Sequence, residues 1–106
     1  DVFDTSEVAA GIDFVWEHLE ARCDGLVRGD ARTWDRVTGD GDDHLFKPHG
    51  VTAAYGVAQS KAAWSVRGHP MVQRLFCALW GEARAEHMIT SMDSLFLWRQ
   101  WYGPAG

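Results

Sequence analysis

No apolar run in this 106-residue chain approaches the roughly 18 residues that a membrane-spanning helix needs, so no span is expected. The start has no basic stretch followed by an apolar one, and no secretory signal is read there. Cysteine is scarce. Cys23 and Cys77 stand far apart, neither in a CxxC nor in any other ligand spacing. Two such residues imply no disulfide framework, and a reducing, cytoplasmic setting is the default. Basic charge is short as well. The formal net charge is -5, which argues against nucleic acid and anionic lipid as partners. Residues 1–43 hold twelve acids against four bases, and residues 44–106 hold three against six. The acidic front half is read as a solvated face.

Aromatic bulk, by contrast, is plentiful: six Trp, five Phe and two Tyr. A chain of this length is one domain at most and can bury about 60–65% of its unfolded surface. It opens on Asp1 without a Met and stops at Gly106, so it is expected to be an excerpt of a longer protein, a single partial domain over 1–106.

Residues 5–22 are predicted to form a helix. Thr5 or Ser6 offers a capping hydroxyl, Glu7 favours the positive helix start, and Val8, Ile12, Val15, Trp16 and Leu19 recur on one side. Gly25 is the expected stop. Residues 24–57 are rich in glycine and loop-like, with a short turn at 30–34 capped by Asp30 that tucks Trp34 onto the core. Within this loop, Asp40, Asp42 and Asp43 suggest calcium, but the spacing fails. Counting from Asp40, the sixth position is Leu45 where Gly is needed, and the twelfth is Val51 where Glu is needed. His44 and His49 lack a second ligand pair for zinc. His18 and Glu20 stand two apart on a helix, pointing about 200° from one another, and cannot chelate one ion.

Residues 58–81 are read as two helices. Ser60 caps the first, Gly68 closes it, and His69 bridges to Pro70 at the first turn of the second. The second helix carries a broad apolar stripe of Met71, Val72, Leu75, Phe76, Leu79 and Trp80, read as core, with Gly81 ending it. Cys77 on this helix is read as a buried, inert thiol. His87 then leads into a predicted strand over 88–98, where Ile89, Thr90, Phe96 and Trp98 favour extended chain. Asp93 interrupts it and must be solvated, paired or part of a site.

This series resembles the N-terminal portion of the phytanoyl-CoA dioxygenase-like family of Fe(II)/2-oxoglutarate-dependent oxygenases. The likeness rests on Thr33-Trp34 after a polar loop, the approach through Gly50, and Tyr55-Gly56-Val57 leading to Ala63-Trp64-Ser65-Val66-Arg67. Pro70, the Leu75-Phe76-Leu79-Trp80 helix and Ser91-Met92-Asp93 complete it. Gln59 stands where relatives commonly carry His, and Ser65 where they often carry Asp. The resemblance implies an α+β architecture, mostly helical in this chain: N-terminal helices plus the first strand of a double-stranded β-helix (jelly-roll).

It also implies an oxidoreductase that hydroxylates an unactivated C–H bond of a small-molecule substrate, releasing succinate and CO₂. In the family an H-x-D or H-x-E pair with a distant His holds the iron, and an Arg anchors 2-oxoglutarate. None of these can be placed in this chain. No catalytic or metal-binding residue is therefore assigned, and the chain alone is expected to bind neither Fe(II) nor 2-oxoglutarate. Gln59, Arg67 and Asp93 are the substrate-binding candidates, Trp64 a packing residue, and the remainder of the oxygenase domain the expected partner. An excerpt missing most of its sheet should expose a strand edge near residues 88–98 and self-associate. The alternative is a small, non-catalytic helical binding module that melts as a monomer.

Overall fold

The computed structural model describes residues 1–37, 51–52, 56–91 and 94–96. These residues are mostly helical. The order is α1 (Thr5–Arg22), a 3-10 helix (Ala31–Val37), β1 (Val51–Thr52), a 3-10 turn (Val57–Gln59), α2 (Lys61–Arg67), α3 (Pro70–Trp80), a 3-10 turn (Ala85–His87) and β2 (Leu95–Phe96).

The first helix starts as a reciprocal cap. Asp4, rather than Thr5 or Ser6, is the N-cap: its carboxylate accepts the Glu7 N–H at 2.8 Å, and the Glu7 carboxylate accepts the Asp4 N–H at 2.9 Å. An ionised carboxylate outcompetes a hydroxyl here, and Ser6 donates its own proton to Asp4 at 2.7 Å. These backbone hydrogen bonds hold both carboxyls below their ordinary values of 3.8 and 4.5. The cap's contribution is therefore complete above those values and is lost as pH falls through the lower, folded-state ones.

After Cys23 ends α1, Gly25 turns the chain back. Arg28 clasps the helix, donating its backbone N–H to Glu20 at 2.7 Å and its guanidinium to Asp13. The pair Thr33-Trp34 then works as a staple. The Thr33 hydroxyl accepts the Val27 N–H at 2.9 Å, and the Trp34 indole donates to the Val27 carbonyl at 3.3 Å. Trp34 itself is not core. It lies against Trp16, ring centroids 5.4 Å apart, and stays 42% exposed. The predicted turn at 30–34 extends to Val37, and Val37 is the residue that reaches the interior, joining Leu19, Cys23 and Leu26.

Ser60 caps α2 as expected, accepting the Ala63 N–H, while its own hydroxyl donates to the Val57 carbonyl at 2.7 Å. Gly68 follows for a steric reason: a Cβ there would stand 3.0 Å from the Trp64 carbonyl oxygen. Pro70 opens α3, and Gly81 closes it with φ +67°, a left-handed cap where glycine costs least.

Two expectations are corrected. The α3 stripe is not core among the described residues. Met71, Leu75, Phe76, Leu79 and Trp80 are exposed, Trp80 by 75%; only Cys77 is buried and Val72 half-buried. Helical spacing assembles an apolar face but supplies nothing to cover it. The second correction concerns the predicted strand over 88–98. His87 lies in a 3-10 turn rather than at a strand entry, and among the described residues of this stretch only Leu95–Phe96 is a strand, pairing antiparallel with Val51–Thr52. That partner strand falls inside the stretch read as loop. The calcium-like run at 38–44, His44, His49, Gly50, Tyr55, Asp93 and Trp98 lie outside the described residues.

The cost of two substitutions separates core from uncovered face. Leu19→Ala is expected to destabilise by about 2–5 kcal/mol, because it opens a cavity in the buried cluster. Leu79→Ala, at a position 68% exposed, should stay within about 0.5 kcal/mol. Urea unfolding of both variants at a fixed low concentration checks this, and equal losses would return the α3 stripe to the core.

Candidate functional site

The described residues converge on one aromatic groove. Trp64 from α2, Phe76 and Trp80 from α3, and Met88 and Ile89 beyond the last 3-10 turn line a space of about 660 Å³. That volume lies within the usual range for small-molecule pockets. Arg67 forms part of this wall and also part of a second groove of about 440 Å³ between α1 and α2, where Val8 and Ile12 are exposed.

Two of the three substrate candidates meet at Trp64. The Gln59 amide oxygen accepts the Trp64 indole N–H at 2.9 Å. From the other side the Arg67 guanidinium stands 5.8 Å from the Trp64 ring centroid, and it donates to the Ala58 carbonyl. A cation over an indole face at this range attracts it electrostatically. Gln73 completes the frame, donating to the Arg67 carbonyl at 3.2 Å. Gln59 and Arg67 thus hold the orientation of one half-exposed Trp. Asp93 lies outside the described residues.

A second arrangement escaped the sequence reading. His69 accepts the Met71 N–H on Nδ1 at 3.2 Å, which assigns its ring proton to Nε2, 3.0 Å from the Glu7 carboxylate. Phe3 packs on the same ring, centroids 4.4 Å apart. The starts of α1 and α3 are tied together across 62 positions. No local signal announces this contact, since Glu7 and His69 are each accounted for by their own helix ends.

Among the described residues, no group of three or more His, Cys, Asp or Glu side chains is placed to hold a metal ion. His18 and Glu20 diverge as their spacing predicts: Glu20 is engaged by the Arg28 backbone, and His18 turns inward. Among the described residues, these side chains do not fit an iron centre. Cys23 and Cys77 are buried free thiols. Burial pushes the Cys23 thiol up from its ordinary value against the opposing pull of Arg36, and its Sγ donates to the Arg36 carbonyl at 3.2 Å. That is an unreactive setting. No helix among the described residues is long and apolar enough to cross a membrane.

Comparison with known proteins found no matching family model, no matching curated protein and no matching solved structure.

The inward His18 generates a pH dependence. Its Nε2 is buried and has no hydrogen-bond partner among the described residues. Burial, with the Arg22 charge adding to it, lowers the folded-state value from the ordinary 6.5. The unfolded chain then binds the proton more readily than the folded one. His18 therefore stabilises fully above 6.5, and that contribution is lost as pH falls from 6.5 through the lower folded value. Denaturant midpoints measured against pH should fall across this window, and His18→Gln should flatten that limb. An unchanged limb in the variant would assign it to another group.

Proposed function

We propose that this chain is the N-terminal helical layer and first strand of an Fe(II)/2-oxoglutarate-dependent oxygenase of the double-stranded β-helix type, similar to the phytanoyl-CoA dioxygenase family. The observation that carries this reading is the uncovered apolar face of α3, beside a sheet of only two short strands among the described residues. Such a face suits a helical layer that buttresses a larger sheet, because helices and sheets are stable when each buries its apolar side against the other. The order of Thr33-Trp34, Trp64–Arg67, Pro70 and the α3 aromatics supports the same assignment.

In this reading Gln59 and Arg67 shape the substrate mouth through Trp64, and Asp93 is the third substrate-binding candidate. The iron ligands and the Arg for 2-oxoglutarate belong to the remainder of the domain. This chain's own residues position and exclude; they do not perform the oxidation. A helical binding module is the second reading, and the open aromatic groove is the observation that favours it.

The gene sequence beyond the codon for Gly106 separates the two. An H-x-D or H-x-E within the next several tens of codons, followed by a His and an Arg, is the expected result; an immediate stop codon removes the oxygenase reading. The longer product should then convert 2-oxoglutarate to succinate with Fe(II) and a substrate, and the 106-residue chain should not. Turnover by the 106-residue chain itself would overturn the assignment of catalysis to the remainder.

A further inference from the structure

The geometry points to a symmetric dimer of this chain, in which Ile89 of each copy enters the Trp64–Phe76–Trp80 groove of the other. Ile89 is 97% exposed, the most exposed of the large apolar side chains described, and it stands on the rim of that groove. One short region thus supplies both a protruding apolar knob and the hollow to receive it, which is the self-complementarity that a two-fold interface requires.

Among the described residues, the backbone beside the knob is also open: none hydrogen-bonds to Ile89, Thr90 or Ser91. This stretch can pair with its own copy running antiparallel, which satisfies both sets of groups at once.

Area and charge agree with this occupant. The exposed parts of Trp64, Val66, Phe76, Trp80 and Ile89 come to roughly 600 Å² per copy at ordinary side-chain sizes. Two copies would bury roughly 1,200 Å², above the ~1,000 Å² that a specific interface needs and at the weak end of the stable ones. Arg67 is the one charged side chain among the described lining residues, and it is engaged by Trp64 and the Ala58 carbonyl. The acids Asp13, Glu17 and Glu20 pair instead with Arg28 and Lys61. Two such grooves therefore meet with Arg67 as the one charged lining side chain of each.

The inference rests on reading α3 as a face whose natural cover lies outside the described residues; a second copy takes the place of that cover. Sedimentation equilibrium of the 106-residue chain over about a hundredfold range of concentration should show a reversible monomer–dimer equilibrium. Ile89→Glu and Trp80→Glu should each raise the dimer Kd at least about tenfold, as loss of a central anchor does. Circular dichroism should show their helix content unchanged, and Val8→Glu in the other groove should leave Kd as it was. If the groove variants unfold, amide exchange of the unaltered chain decides: protection of Ile89, Thr90 and Ser91 that rises with concentration supports the dimer.

A chain that is monomeric throughout overturns the proposal. So does a dimer indifferent to both groove variants, or exchange at residues 89–91 that does not depend on concentration. The oxygenase reading fails separately, on the downstream gene sequence.

Discussion

The His69 ring holds two helix starts in one place. Its Nδ1 serves as the N-cap of α3, and its Nε2 meets the carboxylate that completes the cap of α1. Further along, α3 is held against α2, where Gln73 donates to the Arg67 carbonyl, and Cys77 is buried. The stripe from Met71 to Trp80 stays exposed and does not join the Leu19 cluster.

The buried cluster is correspondingly small. Leu19, Cys23, Leu26 and Val37, with Val15 and Trp16 against them, come from α1 and the turn that folds back on it. This is a local unit, held by Arg28 and by the Thr33-Trp34 staple, and α2 joins α1 through contacts that include the exposed Lys61–Glu17 pair at 3.3 Å. Exposed pairs of that kind add little stability. Most of the described aromatic bulk is thus placed outside the cluster. For a chain of this size such an imbalance is a functional observation, since large exposed apolar patches mark places of association.

Gln59 and Arg67 stand out in the sequence as polar groups flanking an aromatic helix. In the structure both are committed to Trp64, one through the indole N–H and the other across the ring face. The shape of this groove therefore follows the orientation of Trp64. The second cavity, beside Val8 and Ile12, shares Arg67 with the first, so a change at Arg67 reaches both.

Helix spans, the Ser60 cap, Pro70 at a first turn and Gly81 at an end were legible in the sequence, because each depends on neighbours within a few residues. The same local rules contain the Asp4 cap, since a carboxylate three residues before Glu7 makes a reciprocal cap. The pairing of Val51–Thr52 with Leu95–Phe96 and the tie from Glu7 to His69 belong to a different class. They join positions more than forty residues apart, and nothing in either segment names the other. Periodicity showed that α3 has an apolar face, since that comes from 3.6 residues per turn. Whether the face is core or surface is decided only by what the fold brings against it. Among the described residues the fold covers Cys77 and leaves Phe76 and Trp80 exposed.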